Sequence, residues 1–475
     1  MPLSIFVISI FMCSFLFTNK KKCTEVELLK ANYFQQFRGP DLTSYKQIEN
    51  FHFLHNLLSI TGDNFTPQPL YTEDKKIVTI FNGEIYNYKD LKSDAYSDGE
   101  CIIPTYKKYG DTFFSKLDGE HAIILLDLNE NKIIFGSDSF GTKPIFFSIK
   151  NKEIGLASYR SALKGLGFDK IHRVYGNYYY IYELKTSRLT LHQVTHFDVD
   201  NEYKKDFTDW NKAFEESIAK RTNTTKRIFM GVSEGFDSGA ICCSLIKNKI
   251  DFKAFSVNVK DIPSNVLLWR HGLAQKDTPT IGGTKIQIPN MPHKEYIEGS
   301  KLALLYDTKK KIFEDVEDYT YSFHHYKENK FIQKVCRETY GFIGAGIIFR
   351  KAKEEGYKIC LSGLAGDAIG FFDLNKYYKK FNDINAVVDF DDNNIYSCEY
   401  CTGVHGIEVR YPFLDKKLWQ ETFWLDKTIY KHFKEPQRQY MHKQAFPFVD
   451  IDSNGKEIFE KIGFWRQLPA WFFKK

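Results

Sequence analysis

Residues 226–249 constrain the fold of this chain more than any other segment. They open with a short apolar run, residues 228–232, which has the length and composition of a buried strand. A polar loop follows, and the next apolar residues recur at helical spacing, so the segment predicts a strand, a tight loop and a helix. Such a loop presents backbone N–H groups at the carboxyl end of a parallel strand, where α/β sheets bind phosphate groups.

The loop at residues 233–238 carries groups suited to a polyphosphate. The Ser233 and Ser238 hydroxyls can donate to phosphate oxygens, and the Asp237 carboxylate can hold a divalent cation. An ordinary strand-to-helix turn is the plainer interpretation. The motif Ser-Glu-Gly-Phe-Asp-Ser resembles the Ser-Gly-Gly-x-Asp-Ser loop of the PP-loop ATP-pyrophosphatase synthetases, which activate a carboxylate as its adenylate. This resemblance implies ATP binding by the loop, including Gly235, and by the preceding Val232.

Composition limits the remaining classes of function. A chain of 475 residues is long enough for two or three domains, and 43% apolar with 27% charged residues argues against wholesale disorder. The net charge is only +6, without a basic block, so nucleic acid is not expected as a partner. Nine cysteines are an odd number in a long chain, which favours a reducing compartment, and we predict the cytoplasm.

The amino terminus allows two interpretations. Residues 1–18 are nearly all apolar and lysines follow, which would suit an export signal or an anchor, but no positive charge precedes the run and no small-residue cleavage site follows it. Alternatively, the segment beginning Met12-Cys13-Ser14 resembles the amino terminus of class II glutamine amidotransferases. There the cysteine becomes the first residue, and its own α-amine can act as the base for the thiol. We therefore expect translation to start at Met12, or residues 1–12 to be removed.

Further segments resemble the same amidotransferases in the order in which that family has them. No single segment is diagnostic, but their succession is. The matching segments are Arg-Gly-Pro-Asp at 38–41, His-x-x-Leu-Ser-Ile at 55–60, Gln-Pro-Leu at 68–70, Asn-Gly-Glu-Ile-Tyr-Asn at 82–87, Ser-Asp-x-Glu at 97–100 and Asp-x-x-Gly-x-Lys-Pro at 138–144.

The resemblance implies roles for several of these residues. Attack on the glutamine amide builds an oxyanion, which the Asn82 side chain and the Gly83 N–H would stabilise. Glu84 and Asp98 would accept hydrogen bonds from the α-ammonium group of glutamine, and Ile60 would also bind glutamine. An isolated Asn-Gly pair would be interpreted as a hairpin turn.

One position departs from the amidotransferase pattern. Leu57 stands where the family has an arginine that binds the glutamine α-carboxylate. Losing a charge-assisted pair costs about 1.5–3 kcal/mol, or roughly ten- to a hundredfold in glutamine binding. Either another cation substitutes, or the glutaminase is weak and free ammonia is the practical donor.

A second strand-and-loop segment follows at residues 357–368. Its Ser-Gly-Leu-Ala-Gly-Asp resembles the Ser-Gly-Glu/Gln-Gly-x-Asp motif of asparagine synthetases, which implies ATP binding by Ser362 and Gly363 and a magnesium ligand at Asp367. Two aspartates reaching one site from neighbouring strands suit Mg²⁺ with phosphate oxygens. Considered alone, an aspartate after a glycine-rich turn is more often a solvated loop residue. By the same resemblance, Val257 would contact the adenine.

The end of the chain strengthens this resemblance and adds two departures. Residues 405–415, HGIEVRYPFLD, are close to the synthetases' HGVEARVPFLD, and Lys461 falls on a lysine that approaches the reacting phosphate in that family. Glu234 replaces a glycine of the first loop, and Leu364 replaces the Glu/Gln of the second. The acceptor chemistry can therefore differ from asparagine synthesis.

Together these motifs predict the order of a glutamine-dependent asparagine synthetase. The implied fold is an α+β N-terminal-nucleophile αββα sandwich at residues 13–190, then an α/β PP-loop domain with a parallel sheet, of the adenine nucleotide α-hydrolase-like type, at residues 206–475. ATP and Mg²⁺ are the expected cofactors, glutamine or ammonia and aspartate the expected substrates, and a homodimer is compatible with the family. The alternatives are amidation or cyclisation of another carboxylate, and a catalytically silent regulatory homologue.

Overall fold

The computed structural model describes residues 13–39, 41–60, 66–233, 235–256, 348–349, 351–369, 394–431, 434–444, 450–451 and 457–458. These residues form two compact units. The first contains the described residues up to His196 together with Ile395–Glu408, and the second contains the remainder from Phe197 onward. The first unit is therefore discontinuous in sequence.

Two six-stranded antiparallel sheets frame the first unit. The first sheet, in the order β10-β8-β9-β1-β3-β2, consists of β1 (Ser14–Thr18), β2 (Leu42–Ile48), β3 (Phe51–Leu57), β8 (Phe146–Lys150), β9 (Glu153–Ala157) and β10 (His172–Arg173). The second sheet, in the order β12-β11-β7-β6-β5-β4, consists of β4 (Leu70–Tyr71), β5 (Ile77–Ile85), β6 (Gly119–Asp127), β7 (Lys132–Ser137), β11 (Tyr178–Glu183) and β12 (Leu189–Gln193).

The two sheets pack face to face through alternate side chains of their strands. Phe15 and Phe53 of the first sheet share one fully buried cluster with Ile80, Ile124 and Phe135 of the second. Burying a side chain of this size contributes about 1.5–3 kcal/mol. This shared core fixes the positions of β1, β3 and β5 relative to one another.

Helices cover the outer faces of both sheets. The helices with defined bounds are α1 (Glu25–Ala31), α2 (Tyr88–Leu91), α3 (Ile102–Tyr109), α4 (Arg160–Gly165), α5 (Thr208–Thr222), α6 (Phe236–Lys247), α7 (Gly366–Ile369), α8 (Asn394–His405), α9 (Lys416–Trp424) and α10 (Glu435–Lys443). Helix α3 packs through Ile102 and Tyr106 onto the second sheet, while α1 packs on α4, which packs against β8 and β9 of the first. The first unit thus has the αββα layering predicted from the sequence.

Helix α8 joins the first unit through a buried ionic network. Glu399 on this helix accepts from the Arg38 guanidinium at 2.7 Å and from the Lys143 ammonium at 2.9 Å, and all three side chains are at most 1% exposed. Burial opposes the charged form of Lys143, but the carboxylates of Glu399 and Glu120 raise the pKa of its ammonium. At Gly403 a Cβ would lie 2.9 Å from Arg38 Cγ, so a glycine permits this close packing.

A smaller sheet organises the second unit. It has the order β14-β13-β15-β16, formed by β13 (Ile228–Gly231), β14 (Lys253–Phe255), β15 (Ile359–Leu361) and β16 (Glu408–Arg410). Strand β13 is parallel to both β14 and β15, so the carboxyl ends of these three strands lie at one edge. A separate hairpin pairs β17 (Asp450–Ile451) with β18 (Glu457–Ile458).

Helix α5 is amphipathic and buries one face. Its Trp210, Ala213 and Phe214 are fully buried, and the Phe214 ring stacks on Phe413 at 5.2 Å and meets Tyr440 edge-on at 5.1 Å. Across the part of the chain that the structure describes, none of the helices combines the length and hydrophobicity needed to cross a bilayer.

Candidate active sites

Cys13 lies just before β1, where strand pairing brings it next to the end of β3. The backbone N–H of Leu58 donates to Cys13 Sγ at 3.2 Å, and the Arg38 Nε donates to the Cys13 carbonyl at 3.0 Å. Burial raises the pKa of the Cys13 thiol, and the carboxylates of Glu408, Glu84 and Asp98 raise it further, while the Leu58 N–H opposes them. The thiol is therefore protonated at neutral pH and needs a proton acceptor in order to react as a nucleophile.

A pocket of about 430 Å³, which includes its mouth towards solvent, opens beside Cys13. Its apolar wall includes Leu57, Leu58 and Ile60, and its acidic groups are Glu84 and Asp98. No lysine or arginine is among the described residues that line it. The pocket therefore joins a thiol to two carboxylates in a cavity with one apolar wall and uncharged polar side chains, Ser59, Thr66, Gln68 and Ser97.

Gly83 and Asn82 occupy the end of β5 near this pocket. Gly83 lines the pocket with φ +125°, and a Cβ there would lie 1.9 Å from the Glu120 carbonyl oxygen, so only glycine fits. Asn82 is 2% exposed, and within the described residues its Nδ2 has no hydrogen-bond partner. A buried unpaired donor of this kind is costly unless a ligand completes it.

The two acidic residues of the pocket are held by the backbone around β5. Asp98 begins a 3₁₀ turn, and its Oδ2 accepts from the Ile85 N–H at 2.9 Å. Burial raises the pKa of Asp98 to about 7, and the Glu408 carboxylate adds to the effect. Glu84, the other acid, is 8% exposed. Both side chains could accept hydrogen bonds from a buried ammonium group.

The second candidate site is formed by the two loops that follow β13 and β15. In the first loop the Ser233 N–H donates to Ser238 Oγ at 3.1 Å, and the two hydroxyl oxygens lie 2.8 Å apart. The Gly235 N–H donates to Ser233 Oγ at 3.1 Å, and Gly235 is the N-cap of α6. Ser233, Gly235 and Ser238 thus hold one another at the N-terminus of α6, between the strand and the helix that the sequence predicts.

The second loop passes directly against the first. At Gly366 a Cβ would lie 2.4 Å from Asp237 Oδ1, and at Gly363 it would lie 3.2 Å from Asp237 Cβ. The Ser362 hydroxyl accepts from the Leu364 N–H at 3.3 Å. The structure therefore brings together the predicted residues Asp237 and Ser238 with Ser362, Gly363 and the Asp367 that ends the second loop.

A lysine that sequence reasoning missed completes this site. The Lys434 ammonium contacts the Asp237 carboxylate and lies 2.7 Å from Asp367 Oδ1, with only 4% of the side chain exposed. Burial opposes the charge, but Asp237 and Asp367 raise the pKa of Lys434. Lys434 is the N-cap of α10, where a cation is unfavourable, so the two carboxylates rather than helix capping account for its position.

The positions of Asp237 and Asp367 can be compared with the ligands that Mg²⁺ prefers. Mg²⁺ commonly takes one or two carboxylates and completes its shell with substrate phosphates and water. Asp237 and Asp367 already converge on one cationic group, and the Asp367 side chain is 71% exposed. Their donor chemistry therefore fits Mg²⁺, although the described residues contain no cluster of three or more His, Cys, Asp or Glu suited to a metal.

The other predicted residues divide between described and undescribed parts of the chain. Val232 is buried directly after β13, and its N–H donates to the Phe255 carbonyl at 2.7 Å. Val257 and Lys461 lie outside the described residues, as does Glu234. Residues 1–12 also lie outside them.

Residues 12–201 match the family model described as a glutamine amidotransferase domain. The chain is 26% identical over 421 residues to a putative glutamine-hydrolysing asparagine synthetase of Methanocaldococcus jannaschii, covering 81% of this chain and 71% of that protein. It is 25% identical over 466 residues to a probable asparagine synthetase of Schizosaccharomyces pombe, covering 90% and 78%. Among solved structures, the glutamine phosphoribosylpyrophosphate amidotransferase from B. subtilis is 14% identical, with a TM-score of 0.32 and coverage of 54% and 70%.

Proposed function

Because this chain is a divergent member of the glutamine-hydrolysing asparagine synthetase family, we propose that it forms asparagine from aspartate and ATP with glutamine as nitrogen donor. It is then a carbon–nitrogen ligase that also releases AMP, pyrophosphate and glutamate. The observation that carries the proposal is the presence in one chain of two chemically distinct sites. One is the thiol pocket at Cys13, and the other is the paired loops at Asp237 and Asp367.

The first proposed step is release of ammonia at Cys13. With Cys13 as the first residue, its α-amine takes the thiol proton while sulfur attacks the side-chain carboxamide of glutamine. The Asn82 Nδ2 and the Gly83 N–H stabilise the oxyanion, in agreement with the unpaired Asn82 donor. The carbon–nitrogen bond then breaks, ammonia leaves, and water hydrolyses the thioester to glutamate and restores the thiol.

The second proposed step activates aspartate on the two loops. The N–H groups and hydroxyls of residues 233–238 hold ATP phosphates at the start of α6. Asp237 and Asp367 would hold Mg²⁺, which neutralises phosphate charge when it is bound. The β-carboxylate of aspartate displaces pyrophosphate, and ammonia then displaces AMP from the β-aspartyl adenylate. We propose that Lys434 neutralises charge on the leaving phosphates, together with Lys461, which the resemblance places at the reacting phosphate.

Formation of AMP and pyrophosphate by purified protein tests this proposal. Protein whose first residue is Cys13 is incubated with ATP, magnesium and aspartate, and with glutamine, ammonium or neither. We expect AMP and asparagine in equal amounts with either nitrogen source. Absence of AMP with both sources would refute the proposal. Omission of aspartate is the control that reveals unproductive hydrolysis of ATP.

We further propose a cytoplasmic location and the domain limits 13–190 and 206–475, with Ile395–Glu408 of the second domain belonging to the first compact unit. The location rests on the odd number of cysteines, which favours a reducing compartment.

A further inference from the structure

The charged residues that line the pocket beside Cys13 complement only one of the two charges of a free amino acid. A free glutamine carries an ammonium and a carboxylate on its α-carbon, and each needs an opposite charge or hydrogen-bond donors when buried. Glu84 and Asp98 line the pocket and supply two acceptors for the ammonium. Among the described residues, no lysine or arginine lines the pocket to receive the carboxylate, and the side-chain donors there, Ser59, Thr66, Gln68 and Ser97, are all uncharged.

Two buried cations of the first unit, Arg38 and Lys143, are already bound by other groups. Arg38 donates through Nε to the Cys13 carbonyl, but its Nη1 and Nη2 bind the carbonyl and carboxylate of Glu399. Lys143 pairs with the same glutamate and is 1% exposed. Both cations are therefore neutralised within their own buried network.

Leu57 supplies apolar surface inside the pocket. Its side chain is 7% exposed and lines the cavity together with Leu58 and Ile60. A carboxylate placed against this wall loses hydration without gaining an opposite charge, and it is also repelled by the acids Glu84 and Asp98. An uncharged amide or peptide bond in the same place avoids both costs.

From this charge balance we infer that the preferred nitrogen donor is a glutamine whose α-amine is free and whose α-carboxyl is amidated, such as an amino-terminal glutamine of a peptide or glutamine α-amide. The inference rests on the proposed glutaminase function of Cys13. The reaction is the same hydrolysis: sulfur attacks the side-chain carboxamide, ammonia leaves, and water cleaves the thioester. From L-glutaminamide the products are ammonia and glutamic acid α-amide.

A series of donors tests the inference on protein whose first residue is Cys13. L-Glutamine, L-glutaminamide, L-glutaminylglycinamide and N-acetyl-L-glutamine are compared by ammonia release, with the organic product identified by mass spectrometry. We expect kcat/KM for the two amidated donors to exceed that for free glutamine roughly ten- to a hundredfold. N-acetyl-L-glutamine, which keeps the carboxylate and lacks the ammonium, should not react.

Substitution of Leu57 provides the reciprocal test. Leu57→Arg should shift the preference towards free glutamine, while the matched control Leu57→Met should keep the preference for amidated donors. If Leu57→Arg does not fold, calorimetric binding of glutamine and glutaminamide to Cys13→Ala decides instead, because that variant keeps both acids. Tighter binding of glutaminamide by at least tenfold supports the inference.

The outcomes separate this inference from the proposed function. Equal or faster hydrolysis of free glutamine overturns the inference and leaves the glutaminase function intact. If no donor reacts and neither ligand binds Cys13→Ala, the inference is wrong. AMP formation with ammonium and aspartate then shows independently whether the synthetase function survives.

Discussion

The Lys434 ammonium lies 2.7 Å from Asp367 Oδ1 while it also contacts the carboxylate of Asp237. One lysine therefore joins the loops that follow two neighbouring parallel strands. The Gln437 side chain, one turn farther along, donates to the Gly366 carbonyl at 2.8 Å and supports the same junction. The start of α10 thus belongs to the candidate nucleotide site.

Replacement of Lys434 should disable the synthetase half selectively. We expect Lys434→Met to lower aspartate-dependent pyrophosphate release about 10²–10³-fold, since a preorganised charge at the reacting phosphates is lost. Ammonia release at Cys13 should be unchanged. The matched control is Lys443→Met, which removes an exposed lysine at the other end of the same helix. Wild-type pyrophosphate release by Lys434→Met would contradict the role.

Exposure of the Cys13 α-amine should control ammonia release. The thiol is protonated at neutral pH because burial raises its pKa, so it needs the adjacent amine as its base. Protein that retains residues 1–12 should release ammonia from its donor at least about 10²-fold more slowly than protein beginning at Cys13.

Intact-mass measurement of each preparation identifies which form is present. Cys13→Ala should abolish ammonia release, whereas Cys23→Ala, at a partly exposed cysteine, should not. Equal rates with and without residues 1–12 would exclude the amine as base.

Asp98 should make donor binding sensitive to pH near neutrality. Its pKa is raised to about 7, so the carboxylate becomes protonated below that pH and loses its attraction for an ammonium. We expect kcat/KM for the donor to fall as pH decreases through 7. Asp98→Asn should weaken donor binding roughly ten- to a hundredfold and remove this dependence.

Asp98 should also make the stability of the fold depend on pH, in the direction opposite to donor binding. A carboxyl group with a raised pKa in the folded state contributes stability at low pH, and this contribution is lost as pH rises through about 7. Asp98→Asn should therefore raise the Tm at pH 8 relative to wild type. Glu100→Gln, in the same 3₁₀ turn, is the control, and a lower Tm for Asp98→Asn would refute the prediction.

Asp415 should dominate the loss of stability in acid for the second unit. Burial opposes its charge, but Lys220 and Arg221 lower the pKa of Asp415 to about 2 from its ordinary 3.8. This lowered pKa contributes about 2 kcal/mol above pH 4, which is lost as pH falls towards 2.

Urea unfolding between pH 7 and pH 2 measures this contribution. Asp415→Asn keeps a good N-cap for α9 but removes the charge, so the variant should be less stable at pH 7 and converge with wild type near pH 2. Asp209→Asn, which removes a partly exposed surface partner of Lys204, should change stability little. A constant difference across the pH range would exclude the ionic explanation.

Local periodicity was sufficient to predict several elements. The apolar spacing around Trp210 anticipates α5, and the run at residues 228–232 anticipates β13 and the loop into α6. These elements bury one regular face, so neighbouring residues carry the signal. The glycine-rich loop after β15 was likewise visible because the close approach at Gly366 requires that residue.

Other features depend on contacts that sequence spacing does not record. Residues 156–182 have the composition of a strand-rich segment, yet they include α4, whose six residues are too few to establish a helical period. The polar stretch at residues 184–205 contains β12, an edge strand whose half-exposed face weakens the alternation. Lys434 meets Asp237 across 197 residues, so no local pattern could have paired them.

The ion pairs of Arg38 and Lys143 with Glu399 limit how this chain can be shortened. A fragment ending at residue 201 would contain every strand of both large sheets, but it would leave the buried Arg38 without its carboxylate partner and Lys143 with Glu120 alone. Breaking a buried ion pair typically costs about 3–5 kcal/mol. Expressed alone, such a fragment should be insoluble or molten. Adding a separate peptide that spans Asn394–His405 should restore the fold, because the peptide returns Glu399 to Arg38 and Lys143.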